Sequence, residues 1–406
     1  MLYLLFFSLF FLGNPNDGKV IRLSETPRVE NGVSFKKLCA IKTEEGFYKS
    51  INTNIAENGD IIVLDRGNKK VRIFNTDGQE KLSFGTEGNG PGEFTGYERM
   101  VLVANKHIVV LASRKIMIFD EKGMFITEMN QNAYTSGGRL YPTEKGFRLV
   151  YDGKKILKTQ AIEFDFKGNI IAETPNIYYE ERKRYAYKSV ADYIERVEEI
   201  SRGWFHLPRY SVSYGDKFVQ SILGEYRIEI ADKNLKRELL ITRPYKRVKQ
   251  SFDFKAYFQK RYEENTTNSE AEKKEWMKTQ IKRMEAQELY SNGFKDDVQE
   301  VLGEAYGYIF VSVSSENDKS HKDFRKVEDK RDFIIEVISP DYTFYTRVHL
   351  KDMNIANVAD VKWLKVRNNK LVLDMYNEDD GYYVSVFDIL IDKTQITSKK
   401  SNPTFE

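Results

Sequence analysis

The chain has 406 residues, 41% of them apolar and 31% charged, a globular composition that excludes a disordered chain. Lys and Arg number 64 against 61 Asp and Glu, a net charge of +3, which gives no general electrostatic reason to expect a nucleic-acid partner. A single cysteine, Cys39, excludes an intrachain disulfide, and four scattered histidines (His107, His206, His321 and His349) are a thin supply for zinc.

Residues 2–12 are apolar except for Ser8. A helix over that stretch would reach about 16 Å, half a bilayer core, which is short for a membrane span and suits the apolar part of an export signal. No Lys or Arg precedes it, and no lipid-attachment cysteine follows Leu12-Gly13. The expectation is a signal segment over 1–19, a mature start between Asn14 and Val20, and a periplasmic or extracellular protein. Read instead as a buried amino-terminal strand, the same stretch would leave the protein cytoplasmic. Beyond it, 20–406 reads as one domain, and 25 Tyr and 26 Phe suit a chain built of strands.

The clearest pattern is residues 57–94, ENGDIIVLDRGNKKVRIFNTDGQEKLSFGTEGNGPGEF. Residues 61–64 form a short apolar run, Gly67-Asn68 signals a turn, and Val71 and Ile73 carry a second strand. Asp77-Gly78 is a hairpin dipeptide, and Leu82 and Phe84 mark a third strand. With 48–55 as an inner strand, this makes one four-stranded blade of a β-propeller. The segment resembles the NHL repeat through Gly59, Asp65, Asn68, Arg72, Phe74, Asn75 and Gly78, with Asn75 where the family has Asp. Its tail, with Gly90, Pro91, Gly92, Glu93 and Phe94, is similar to a loop of six-bladed propellers in bacterial envelopes. The resemblance implies an Asp–Asn–Arg set (Asp65, Asn68, Arg72) that stitches the second turn of the blade.

Weaker copies follow. The second has strands at 107–111, 115–119 and 124–129, and the third at 146–151, 160–165 and 169–173. The fourth has 218–223, 226–230 and 238–242, and the fifth 308–313, 333–338 and 344–349. The sixth shows only 370–375 and 382–387. The whole is therefore all-β, a six-bladed β-propeller. The missing outer strand of the last blade is expected from 34–41, which has strand composition and no blade of its own, or from 389–396.

Strand parity sorts the connections. With four alternating strands per blade, turns one-to-two and three-to-four emerge on one face, and connections two-to-three and blade-to-blade on the other. The short turns belong to the first class. The long segments 86–97, 174–206, 250–295 and 314–331 all belong to the second, so insertions gather on one face, where function gathers in scaffold folds. Two of them read as helical. Val190, Tyr193, Ile194, Val197 and Ile200 form one stripe, and Trp276, Met277, Ile281 and Met284 another within 271–289. Each helix would pack on the rim, or serve as a lid or docking surface.

No catalytic triad, nucleophile elbow, phosphate loop or zinc motif is present in the sequence. Asp65 and Asp374 end comparable strands and could offer oxygen ligands to Ca²⁺, although the structural role in the repeat explains Asp65, and no cofactor is expected. Trp204, His206 and Arg209 fall where the second insertion re-enters the ring and form the candidate ligand-binding set. Basic clusters at 182–184 and 243–249 read as solvated charge. The leading function is a non-catalytic binding module of the cell envelope that takes a protein or glycan on the insertion face. The alternative is a metal-dependent hydrolase or lyase acting in the channel.

Overall fold

The computed structural model describes residues 19–48, 51–95, 97–113, 115–130, 138–151, 159–175, 209–215, 217–222, 224–248, 259, 263, 269–291, 297–315, 333–353, 355 and 358–392. The apolar segment 2–12, the stripe over 190–200 and both Trp204 and His206 lie outside the described residues.

Two strands precede the blades, β1 (Lys19–Arg22) and β2 (Val33–Ile41). Blade one contains β3 (Ile51–Ile55), β4 (Ile61–Asp65), β5 (Lys70–Phe74) and β6 (Glu80–Phe84). Blade two contains β7 (Glu98–Ala104), β8 (His107–Ala112), β9 (Lys115–Asp120) and β10 (Phe125–Asn130). Blade three contains β11 (Gly138–Pro142), β12 (Gly146–Tyr151), β13 (Thr159–Asp165) and β14 (Ile170–Pro175). Blade four contains β15 (Arg209–Tyr214), β16 (Lys217–Ser221), β17 (Arg227–Ala231) and β18 (Arg237–Thr242). Blade five contains β19 (Val298–Ala305), β20 (Tyr308–Val313), β21 (Ile334–Ile338) and β22 (Phe344–His349). Blade six contains β23 (Val361–Arg367), β24 (Lys370–Asn377) and β25 (Gly381–Ile391).

Every residue of β4 and of β20 is buried, which is why 61–64 and 308–313 read as continuous apolar runs rather than alternating ones. Six groups of buried apolar side chains follow, one at each blade interface. That between blades three and four is the smallest among the described residues: Tyr141, Val150, Ala161, Phe218 and Leu235.

Closure of the ring uses the amino-terminal donor. β2 pairs antiparallel with β25, from Val33 opposite Ile391 to Ile41 opposite Val384, and so becomes the outer strand of blade six. The other expected donor, 389–396, does not take that place, because β25 itself runs on to Ile391 as the third strand. The amino-terminal segment does more than the sequence suggested. β1 lies parallel to β18 and adds a fifth strand to blade four, with Ile21 and Leu23 buried. The chain then touches the outer strand of blade five, where Arg28 N and Val29 N donate to the carbonyls of Phe344 and Tyr345. Residues 19–41 thus form a belt across the rims of three consecutive blades. The boundary expected after residue 19 falls inside β1.

The three-to-four turns show why the repeat signal fades. In blade one, Asn75 Oδ1 accepts from the amides of Asp77 (3.0 Å) and Gln79 (2.8 Å). Asp120, Asp165 and Asp232 do the same in blades two to four. The turn amides need an acceptor oxygen, which Asn supplies as well as Asp. The next turn position needs a positive φ. Gly123 (φ 77°) holds it in blade two, where an added Cβ would stand 2.5 Å from Phe84 of blade one. In blades four and five, Leu235 (φ 63°) and Tyr342 (φ 58°) occupy the same position. There the turn residue itself supplies the bulk between blades, as buried Leu235 shows.

Helix α1 (Glu270–Ser291) lies between β18 and β19, in one of the two expected helical segments. Ser269 caps it reciprocally with Glu272: Glu272 Oε2 accepts from Ser269 N (2.9 Å) and Oγ (2.8 Å), and Glu272 N donates to Ser269 Oγ (3.3 Å). No side chain over 270–282 is buried, and Trp276 is exposed. No described helix is long and apolar enough to cross a membrane.

Candidate functional site

The two faces of the ring differ. On the turn face, the one-to-two turns are linked from blade to blade. Asn105 Nδ2 donates to Glu144 O (2.9 Å), Tyr214 OH to Gly307 O (3.2 Å) and Asn368 Nδ2 to Ile55 O (3.0 Å), while Asn369 Oδ1 accepts from Tyr306 N (2.8 Å). Arg367 also reaches from blade six past blade one to Val103 O of blade two (3.3 Å). Desolvation pushes its pKa down to about 10, so it keeps its charge at neutral pH. This end of the axis is bridged. The strand ends that border the long segments 176–208, 249–296 and 316–332 all lie on the opposite face.

The turn motif of blade one is held by internal bonds. Asp65, fully buried, accepts from Tyr48 N (3.2 Å) and Asn68 N (3.3 Å) at Oδ1 and from Asn68 Nδ2 (2.7 Å) at Oδ2. Burial raises its pKa despite these bonds. Arg72 lies beside it (3.6 Å) and pairs with Glu80 (2.9 Å) and Glu45. The loop through Gly90, Pro91, Gly92 and Phe94 is held in the same way, although it emerges on the insertion face. Phe94 is buried and stacks on Phe119 at 5.9 Å, and Lys115 of blade two donates to Gly90 O (2.9 Å) and pairs with Glu128 (3.1 Å). Glu128 in turn accepts from Gly92 N (3.2 Å).

The inner strands place a different set of side chains together. Asn52, Met100, Arg139, Arg209, Glu300 and Trp363 pair with Leu64, Leu111, Val150, Ser221, Ser312 and Asp374 on the second strands. These partners face Val71, Ile116, Ala161, Ile228, Ile335 and Val384 on the third strands. In blades one to five that third-strand residue stands at one fixed distance ahead of its turn residue. The six inner-strand positions therefore form one level around the axis, toward the insertion face. Below them, Thr53, Val101, Leu140, Val301 and Leu364 are buried, whereas Trp363 keeps 36% of its surface exposed. Arg139 reaches Glu300 at 3.7 Å, joining blades three and five in front of blade four. Arg209, one of the three residues singled out from sequence, belongs to this level through its backbone; its two companions are outside the described residues. The level is invisible in sequence because its members differ in type and recur only once per blade.

Asp374 does not repeat the position of Asp65: it stands level with Leu64, one residue earlier, pairing with Trp363 and Val384 as Leu64 pairs with Asn52 and Val71, and β24 continues to Asn377 instead of turning. Its Oδ2 lies 3.5 Å from Lys365, and Oδ1 has no hydrogen-bond partner. Among the described residues no group of three His, Cys, Asp or Glu could hold a metal ion, and the carboxylates at this level face Arg and Lys.

The cluster at 243–249, expected as solvated charge, is largely structural. Arg243 donates to Glu336 of blade five (2.7 Å) with side chains 1% and 0% exposed. The guanidinium lies 4.4 Å from the Phe344 ring, 4.7 Å from Tyr226 and 5.0 Å from Tyr245, so ring faces cover it. Arg247 stands 3.4 Å from Asp297. A cation with a buried acid across an interface cannot be recognised from its own neighbours in sequence.

Comparison with known proteins agrees with this architecture. Residues 33–195 match the family DUF5128, described as a six-bladed β-propeller; the match begins at the first residue of the closing strand. Two solved structures are similar in fold. One is a protein of Bacteroides fragilis NCTC 9343 described as a candidate exported protein (TM-score 0.52, 14% identity, 92% of this chain and 100% of that one). The other is a DUF4221 family member from Bacteroides vulgatus (TM-score 0.53, 11% identity, 89% and 99%). Among curated proteins, Drosophila melanogaster protein brain tumor is 24% identical over 132 residues, 32% of this chain and only 12% of that protein's length.

Proposed function

We propose that this six-bladed β-propeller is a non-catalytic binding module that acts outside the cytoplasm and takes a protein or glycan on its insertion face. The observation that carries the reading is the asymmetry of the ring. One face is sewn together by turn-to-turn hydrogen bonds and bridged by Arg367. Every long connection starts and ends on the other. Helix α1 has no buried side chain over 270–282, its described part. The apolar segment 2–12 and the fold shared with a candidate exported protein support export. The near balance of basic and acidic residues speaks for a partner other than nucleic acid.

The test is to replace residues 264–290 with a short Gly-Ser linker. Loop-closure entropy changes slowly with length, so the ring should keep most of its stability. Thermal unfolding should be nearly unchanged, while recovery of the partner from envelope extract is lost. A linker variant that unfolds would make the helix part of the core. One that folds and keeps every partner would remove the insertion face from the function.

A further inference from the structure

The outer strands of blades one to five begin at equivalent places. In each three-to-four turn the fourth residue donates its amide to the carbonyl of the first: Gly78 to Asn75, Gly123 to Asp120, Gly168 to Asp165, Leu235 to Asp232 and Tyr342 to Ser339. Two residues further on come Glu80-Lys81, Phe125-Ile126, Ile170-Ile171, Arg237-Glu238 and Phe344-Tyr345. Blades one and four are charged there. Blade five carries two rings, each 1% exposed, whose carbonyls accept from Arg28 and Val29 of the belt. Blades two and three also carry apolar pairs, yet these stand open: Phe125 and Ile126 are 40% and 41% exposed, Ile170 and Ile171 56% and 42%.

The two pairs belong to one surface. Met124, ahead of Phe125, is exposed as well. A Cβ added to Gly168 would stand 3.0 Å from Met129 and 3.6 Å from Thr127, so the turn of blade three rests on β10. Ile126 precedes that contact by one residue on its strand, and Ile170 follows it by two. Five of the twelve large apolar side chains exposed among the described residues thus gather on two neighbouring outer strands. They uncover on the order of 500 Å², against the ~800 Å² that each partner gives to a standard interface. An apolar patch of that extent commonly marks a site of association. None of the five carries a charge or a strong hydrogen-bonding group, which speaks against a sugar or an ion as the occupant. The exposed charges beside them have both signs, Glu121 and Lys122 at one pair and Lys167 and Glu173 at the other. Asp120 and Asp165 are held by their turn amides. Such a surface does not repel its own copy, and a two-fold contact requires a patch that fits itself.

We propose that Met124, Phe125, Ile126, Ile170 and Ile171 form a self-association surface, through which two copies of this chain pair about a two-fold axis, apolar rim against apolar rim. The second copy then covers the apolar pairs of blades two and three as the belt covers that of blade five. The surface lies on outer strands, so it goes beyond the binding-module reading and does not depend on it.

Sedimentation velocity of the full chain tests this. Between about 1 and about 100 µM, a range that brackets a micromolar Kd, the mass should rise from one copy to two. Ile126→Lys and Ile171→Lys each introduce the residue that blade one already carries at Lys81, so the blades should fold as before. Burying a lysine in an apolar contact should weaken dimerisation at least tenfold for each. The double variant should stay monomeric at the highest concentration, with its thermal unfolding unchanged. Leu390→Lys, at an exposed apolar position on blade six, should leave the dimer intact. In the unsubstituted chain, peroxide oxidation of Met124, read by mass spectrometry, should be slower at the highest concentration than at the lowest. The proposal is overturned if the parent stays monomeric throughout, if the double variant still pairs, or if Leu390→Lys weakens the dimer as much. A monomeric parent that loses an envelope partner on I126K/I171K also overturns it, and assigns the patch to another protein.

Discussion

The side chains of Arg243 and Glu336 meet at 2.7 Å across the interface of blades four and five, both almost wholly withdrawn from solvent. Glu336 also accepts from Arg347 Nε (3.0 Å) and NH2 (2.7 Å), and Arg347 is partly exposed. The acid therefore has two cations, whereas Arg243 has one acid and three ring faces.

This asymmetry orders two substitutions. Glu336→Gln leaves a buried guanidinium with no anion and should cost about 3–5 kcal/mol. Arg243→Met should cost less, because Arg347 still holds Glu336 and a thioether packs well against Tyr226, Tyr245 and Phe344. Urea unfolding of the two variants gives the comparison, and the reverse order would refute the assigned roles.

Leu235 invites a test of competing effects. Glycine there would relieve a left-handed backbone, worth about 1 kcal/mol, but would empty a buried site in the smallest interface, at about 2–5 kcal/mol. Leu235→Gly should therefore destabilise by roughly 1–4 kcal/mol, the difference of those terms. Gly123→Ala should also destabilise, for the opposite reason: its Cβ would meet Phe84 and its φ is 77°. A stabilised Leu235→Gly variant would show that backbone strain outweighs packing at this turn.

Asp297 sets a pH dependence. Burial raises its pKa from 3.8 to about 6, against the lowering influence of Arg247. Between those values the folded protein holds a proton that the unfolded chain has released. Stability thus falls as pH rises from about 4 to about 6, with a slope of at most about 1.4 kcal/mol per pH unit. Asp297→Asn should remove that contribution, so its unfolding free energy should decline less over the interval than that of the parent. Equal slopes would mean that Asp297 titrates normally.

What could be read from the residues, and what could not, follows from where each constraint acts. Blade one was legible because Asp65, Asn68, Asn75 and Gly78 answer to local backbone geometry, which leaves its mark on adjacent residues. Blades four and five kept the turn but exchanged glycine for Leu235 and Tyr342, so the fold persisted while the pattern faded. Closure by 34–41 was inferable because an unpaired strand and an unfinished blade had to find each other. β1 was not, since four residues near the start carry no periodicity. The level containing Arg139, Glu300 and Trp363 depends on register between blades, and no single segment records it.

The belt over residues 19–41 has a consequence for the order of events in folding. Val33 and Ile391 are partners at opposite ends of the chain, so the last interface to form has the greatest sequence separation and the heaviest loop-closure cost. A chain delivered amino-terminus first, by a ribosome or through a translocation pore, must carry β2 unpaired until blade six arrives. Five blades can assemble in turn, each on its predecessor, but the sixth cannot be completed by local growth. Once β2 has docked, the same topology makes escape slow. The ring cannot open at blade six without stripping the nine-residue β2 from β25, and β1 tethers the segment ahead of it to blade four.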